Sequence, residues 1–429
     1  MDMPRDLSLL VVPCRGSLEN TGDLFEPYRL VDVAGGVVGS VAGYLRDLRA
    51  AGRSPATQRS YGMDLLRWFR FLWAIEVGWD RATQVEARDF CCWIQASDKA
   101  IRQHWRQAGQ DLTSGITRTA RSVRPEGVRR AGVPNAVTGK RTPGLKYASS
   151  TVAHCETVLR SFYAFHLEAG SGPIVNPFPL VRGRRASRAN AHGNLMDPVG
   201  AQRSGRYRPR VAVRIPRAIP DEKFDELFAA LGSHRDRALV AFWVSTGARA
   251  AELLGATGAD ADPGQQLITV IRKGSRCLQQ LPASPDAFVW LRLYQAQLQG
   301  VAPTGADQPL WWTLRKPLRA LTYHAARAMF GRANALLGSN WSLHDLRHSA
   351  AYRMARDPQM ALTDVQWVLG HAHLSTTQVY LTAPVEDMIA AVVAHHARRA
   401  QPQASPPADA DRLRYRQQSL DVLFGRGPA

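Results

Sequence analysis

Near the C-terminal end of the chain, four side chains have the types and spacing that phosphate chemistry needs. His344 and Arg347 lie three apart in Ser342-Leu343-His344-Asp345-Leu346-Arg347, and His371 and Tyr380 lie nine apart in LGHAHLSTTQVYL. Ser342 and Asp345 have the spacing of a capping box, which starts a helix just before His344. His344 and Arg347 then share a face, while Leu343 and Leu346 point inward. A histidine so placed can donate to one non-bridging oxygen of a phosphodiester, and an arginine can clamp another through its planar fork. Gly370 closes the next helix and leaves His371 at a turn. Ser375 is expected to cap the following segment, with Tyr380 one and a half turns in. A phenol attacks phosphorus only beside cations that favour phenolate and stabilise the charge that builds up. Without them, a tyrosine at helical spacing is a core residue.

Those cations must come from upstream. Arg249, in TGARAAELLG, follows Gly247 at the expected first turn of a helix, with Glu252 three residues on and on the same face. An arginine at that position adds its donor fork to free backbone N–H groups. Read singly, it is a surface ion pair of little value. Lys273 falls in Arg272-Lys273-Gly274-Ser275-Arg276, between the apolar runs Leu267–Ile271 and Cys277–Leu281, which predicts a β-hairpin with the lysine at its tip. An ammonium group there can protonate a departing alkoxide.

The elements that must position these groups emerge from periodicity. Val41, Tyr44, Leu45 and Leu48 predict a first helix ended by Gly52, and Ser54-Pro55 caps a second that buries Tyr61, Leu65, Trp68, Phe69 and Leu72. A third is predicted over Glu86 to Ala96. A fourth starts at Ser150, carries Val152, Cys155, Leu159, Phe162 and Phe165 on one face, and is expected to end at Asn176-Pro177. Residues 1–35 read as a lead-in. The stretch 118–146 loses the apolar period and reads as a basic loop inserted in the bundle. Residues 181–217 hold ten arginines and one acidic residue, Asp197, and read as a linker. It is either a solvated tether or a segment lying along phosphates, with Arg182, Arg184, Arg185, Arg206, Arg208 and Arg210 as the candidate DNA contacts. Residues 218–400 read as a second, mostly helical domain, and 401–429 as a tail in which Leu413 to Phe424 forms one more helix.

Composition agrees. The 429 residues carry 55 Lys and Arg against 36 Asp and Glu, a formal charge of +19, which points to a polyanionic partner. Five scattered cysteines with no CxxC argue against a disulfide framework or zinc site. The start MDMPRDLSLLVVPCRG lacks a signal-peptide layout, which predicts a cytoplasmic, nucleoid-associated protein. No GxxxxGK[ST], GxGxxG after a strand, or HExxH is present, against a nucleotide-driven motor or a zinc hydrolase.

Taken in order, TGARAAELL, the hairpin RKGSR, HDLRHSAA and LGHAHLSTTQVYL resemble the active-site signature of the tyrosine recombinases, the phage integrase family, over most of residues 37–395. The resemblance implies a mainly α fold: an N-terminal helical core-binding bundle, then a mixed, mostly α catalytic domain with a small β-hairpin. It implies a catalytic set of Arg249, Lys273, His344, Arg347, His371 and Tyr380 supported by Glu252. Tyr380 would form a 3′-phosphotyrosine, Lys273 would protonate the leaving 5′-oxygen, and Arg249 and Arg347 would hold the non-bridging oxygens, with no cofactor, ATP or metal. It further implies double-stranded DNA with specific sites, a homotetramer on two sites, and a Holliday junction; dimer resolution, integration and transposition stay open, and the extra length of the chain tilts the reading toward a mobile element. The tail helix is the expected docking element on a neighbour. A type IB topoisomerase, a catalytically silent DNA-binding relative and, more distantly, a membrane-surface protein are the alternatives. The chain departs from the family in the 118–146 insertion, the arginine linker, and Arg272 where a glycine often precedes the lysine.

Overall fold

The computed structural model describes residues 5–7, 9–99, 131–182, 203–211, 218–381, 385–400 and 416–425. They fall into two units, which divide the chain as 1–135 with 139–213 and 136–138 with 214–429.

In the first unit, β1 (Ser17–Asn20) and β2 (Tyr28–Val31) pair antiparallel, and helices α1 (Gly39–Ala50), α2 (Pro55–Ala74), α3 (Gln84–Ala96) and α4 (Ser149–Glu168) follow. Sequence chemistry sets the helix starts. The Ser54 hydroxyl accepts from the Thr57 amide ahead of Pro55, and Thr83 and Glu86 form a reciprocal capping box. The core is aromatic, with Trp68, Phe71, Phe90, Phe162, Tyr163 and Phe178 fully buried. Their polar tips are satisfied in sequence: Trp68 Nε1 donates to the Tyr163 hydroxyl at 2.9 Å, which donates to the Trp79 carbonyl at 3.0 Å.

Three expectations need correction here. The lead-in contains the β1–β2 hairpin, whose Leu30 is fully buried in the helical core. Its four-residue strands are too short for alternation to show in the sequence. Helix α4 stops at Glu168, where Gly170 adopts φ +65°, and Asn176 instead shapes a turn by accepting from the Phe178 amide. The linker is folded at its described ends: β3 (Leu180–Arg182) pairs with β4 (Arg203–Gly205), and Tyr207 packs on the first unit's core. Of the basic stretch, residues 118–130 lie outside the described residues. Its remainder is tied by bridges between Pro134 and Arg141 and between Asp98 and Lys146.

The second unit contains α5 (Asp221–Ala229), α6 (His234–Thr246), α7 (Ala250–Leu254), a sheet of β5 (Ala261–Asp262), β6 (Leu267–Ile271) and β7 (Leu278–Pro282), then α8 (Pro285–Leu298), α9 (Tyr323–Leu336), α10 (Leu343–Arg356), α11 (Leu362–Leu369), α12 (Leu374–Gln378), α13 (Val385–Ala400) and α14 (Gln417–Leu423). Helix α6 is buried continuously from Ala238 to Trp243 and packs against α8 and α10, so it shows no polar stripe. The predicted hairpin is present, with Ile271 opposite Leu278 and Gly274 at φ +105° in the turn. The two-residue strand β5 extends it on the far side of β6. Among the described residues, no helix is long and apolar enough to cross a membrane.

Candidate active site

The second unit gathers the predicted side chains around two helix ends. Helix α6 and helix α11 each terminate in a glycine in the left-handed region, Gly247 and Gly370, both at φ +61°. Their last carbonyls converge on one guanidinium. Arg347 Nη1 donates to the Gly247 carbonyl at 2.7 Å, and Nη2 donates to the Leu369 carbonyl at 2.7 Å and to His371 Nε2 at 2.9 Å. The negative ends of two helix dipoles thus hold a cation that is 3% exposed. Burial, reinforced by Arg249, lowers the Arg347 pKa to about 10, so it stays charged at neutral pH.

Because arginine can only donate, His371 Nε2 must be the acceptor in that contact. The ring's other nitrogen, Nδ1, lies 2.9 Å from the Thr377 hydroxyl. Burial, together with Arg347 and Arg249, drives the His371 pKa down to about 4, so the ring is neutral with its proton on Nδ1.

A second hub is Glu252. Its carboxylate accepts from the Arg249 amide (2.9 Å), Arg249 Nη1 (2.9 Å), Arg272 Nη1 (3.0 Å) and the Lys273 amide (3.0 Å). Burial opposes the charge, but these donors prevail and hold the carboxyl below its ordinary pKa. The pairing fixes Arg249 at the start of α7 and seats the backbone of the Lys273 turn, while the lysine side chain remains exposed. Arg272, 4% exposed, also donates through Nε to Gln279 at 2.6 Å and through Nη2 to the Val368 carbonyl. Gln279 Nε2 donates in turn to the Trp367 carbonyl at 2.9 Å, so the hairpin is tied to the end of α11.

Tyr380 lies on a 3-10 turn, Val379–Leu381, directly after α12, whose cap residue is His373 and not the expected Ser375. Its ring is 7% exposed, packed with Ala351, Val365 and Leu369, and parallel to the His371 ring at 6.3 Å. Burial raises the phenol pKa, with Arg347 and Arg249 pulling the other way. The Tyr380 hydroxyl is 2.8 Å from Nδ1 of His348, a residue the sequence reading quoted within HDLRHSAA without giving it a role. His344 is exposed on the same helix, with ring centroids 4.4 Å from His348.

An open cleft of about 1200 Å³ faces these groups, lined by Arg249, Lys273, Gly274, Trp367, His371 and Thr376. All six predicted catalytic positions and Glu252 therefore belong to one neighbourhood, with Arg347 and Tyr380 beneath the cleft wall. Arg272 and His348 are the groups that sequence reasoning missed. The signal for His348 was its place one turn beyond His344 on the same helix; Arg272 had none, because burial of a turn arginine cannot be read from its neighbours. Among the candidate DNA contacts, Arg206, Arg208 and Arg210 are exposed, and Arg208 Nη1 donates to the Thr157 hydroxyl at 3.1 Å. Arg182 pairs through its backbone with Arg203, and Arg184 and Arg185 lie outside the described residues. The predicted tail helix is present as α14, with residues 413–415 likewise outside.

Fold and site together define an integrase-type catalytic unit preceded by a helical unit. The chain belongs to the phage integrase family of tyrosine recombinases: residues 218–386 match that family, and residues 41–104 match its N-terminal SAM-like domain. Among curated relatives, tyrosine recombinase XerD of Neisseria meningitidis serogroup B is 26% identical over 44% of this chain and 66% of its own length. The chain thus spans about two thirds of that relative. XerD of Xanthomonas campestris pv. campestris is 25% identical over 59% of this chain and 74% of its own length. The Tn1549 transposon integrase, solved in complex with circular intermediate DNA, shares the fold at a TM-score of 0.50 and 14% identity, covering 82% of this chain and 98% of its own. XerH site-specific recombinase bound to palindromic difH substrate does so at 0.50 and 15%, covering 82% and 84%.

Proposed function

We propose that the chain is a site-specific recombinase that cleaves double-stranded DNA with Tyr380 and rejoins it through a 3′-phosphotyrosyl intermediate. The observation that carries this is the placement of the Tyr380 hydroxyl. It is hydrogen-bonded to His348 and stacked on a neutral His371 that Arg347 holds, beneath a cleft lined by Arg249 and Lys273. Arg249 and Arg347 neutralise the non-bridging oxygens as charge accumulates, and Lys273, on a turn anchored through its backbone alone, reaches the leaving 5′-oxygen. The attacked phosphorus keeps its bond energy in the phosphotyrosine, so a 5′-hydroxyl can reverse the step without ATP. Attack requires the phenol to move from its packed position into the cleft.

Exchange between two DNA sites needs two cleavages on each, hence four protomers and a Holliday-junction intermediate. The added cationic length of residues 118–146 and 181–217 supports a role in moving a mobile element. The test is a suicide substrate that traps the covalent adduct. Wild type should form it and Tyr380→Phe should not, while binding DNA comparably; an undiminished adduct in the variant would place the nucleophile elsewhere. Relaxation of any supercoiled DNA by a monomer, with no need for two sites, would favour the topoisomerase reading.

A further inference from the structure

The departure at position 272, where a glycine often stands in the family, gives the hairpin turn its buried anchor. Among residues 271–278, all of them described, Arg272 alone is buried, and the cross-strand pair that flanks the turn, Ile271 and Leu278, is exposed at 55% and 71%. Apolar packing therefore does not hold the tip that carries Lys273. We propose that Arg272 is a positioning residue for the cleavage step, fixing Lys273 relative to the arginine that clamps the phosphate so that the lysine meets the leaving 5′-oxygen. This rests on the reading of Tyr380 as nucleophile and Lys273 as proton donor.

Three consecutive carbonyls at the end of α11 supply the common reference. That of Trp367 accepts from Gln279 Nε2 at 2.9 Å, that of Val368 from Arg272 Nη2, and that of Leu369 from Arg347 Nη2 at 2.7 Å. The hairpin and the clamp are thus tied to the same helix end, where the negative end of the dipole favours cations. Arg272 joins this end to the lysine. Its Nη1 donates to one oxygen of Glu252 at 3.0 Å, and the other oxygen of that carboxylate accepts from the Lys273 amide at 3.0 Å. Its Nε donates to Gln279 at 2.6 Å. The guanidinium lies against Gly370, where a β-carbon would come within 3.1 Å of Nε and 3.2 Å of Cζ. Because each of its three side-chain nitrogens already donates to protein, Arg272 acts through the lysine and not on the DNA.

The consequence is selective. As the bond from phosphorus to the 5′-oxygen breaks, that oxygen takes a proton from the Lys273 ammonium, a transfer that fails when the turn drifts by even about 1 Å. Arg249 keeps its own bond to Glu252, and Arg347 keeps its helix carbonyls, so the phosphate grip and the nucleophile survive the loss of the strut.

Single-turnover adduct formation by the full chain tests the assignment, using one suicide substrate with the ordinary 5′-oxygen and one with a bridging 5′-sulfur, which leaves without a proton donor. Arg272→Lys keeps a cation facing the buried Glu252, but its single donor point cannot also reach Gln279 and Val368. Gln279→Leu weakens the same tie without touching a buried charge, so it carries the test should the first variant fail to fold. Arg272→Lys should slow the 5′-oxygen reaction by roughly 10- to 10²-fold at saturating DNA, and Gln279→Leu by less. On the 5′-sulfur substrate both should match wild type. Adding Arg272→Lys to Lys273→Ala should slow the reaction no further, since the two act as one unit. Wild-type rates for both variants on the 5′-oxygen substrate, equal slowing on both substrates, or additive loss in the double variant would each overturn the proposal. Lys273→Ala that sulfur fails to rescue, or an adduct that persists in Tyr380→Phe, would instead overturn the reading on which it rests.

Discussion

Arg347 holds the site together by using three of its donors on protein: two carbonyls at helix ends and one histidine nitrogen. A guanidinium has five N–H groups, so two remain for an incoming phosphate oxygen. A lysine offers three donors from one point and cannot span both helix ends while facing a ligand. Arg347→Lys should therefore lower the rate of adduct formation on the order of 10²-fold or more while changing DNA affinity much less; equal losses in both would mean that the residue serves binding alone. His371 gives a pH prediction of definite sign. Its pKa is about 4 in the folded chain against 6.5 ordinarily. Between those values the unfolded chain binds the extra proton, so acidification from pH 6.5 towards 4 favours unfolding. The urea midpoint of the wild type should fall over that window, and that of His371→Gln should fall less. Parallel curves would mean that the ring titrates normally.

The elements that carry these residues are set by their ends, and the ends are where sequence was most informative. Ser54-Pro55, Ser342 with Asp345, and the glycines at 247 and 370 all mark real helix boundaries, because a cap is a local hydrogen-bond requirement legible within four residues, whereas the Thr83–Glu86 box went unread and the third helix starts two residues earlier than expected, at Gln84. What could not be read is long-range. Arg272 looked like a departure in a turn, yet it is a buried strut joining Glu252, Gln279 and the end of α11, contacts made 20, 7 and 96 positions away. Tyr380 looked like a residue within a capped helix, but the chain there is a five-residue helix followed by a 3-10 turn. Arg272→Ala leaves the Glu252 carboxylate with its burial cost and one fewer cation, a change expected to destabilise the fold by about 3–5 kcal/mol. Adding Glu252→Gln removes a buried charge left with Arg249 as its remaining cation and should recover part of that loss in chemical denaturation. A double variant no more stable than the single would mean that Arg272 acts through its links to Gln279 and Val368 instead.

At the scale of the whole molecule the governing quantity is the +19 charge, concentrated in stretches that periodicity could not assign to elements. Composition points to a polyanionic partner, since charge needs no folding to be counted. It could not show that the linker's described parts pair as strands, because a three-residue strand pair such as β3 and β4 leaves no alternation to detect. That folding changes what the arginines can do: Arg206, Arg208 and Arg210 project from a segment fixed to the first unit's core by Tyr207, so a phosphate contact there loses little chain entropy. Each phosphate neutralised on duplex DNA releases counterions and adds about 0.9 to the steepness of log affinity against log salt. Replacing all three with glutamine should therefore flatten that slope by up to about 2.7 on any duplex, specific or not. It should leave Tyr380 adduct formation at saturating DNA close to wild type, since none of the three belongs to the catalytic unit. An unchanged slope would show that these arginines stay solvated and that the cations on DNA lie elsewhere in the chain.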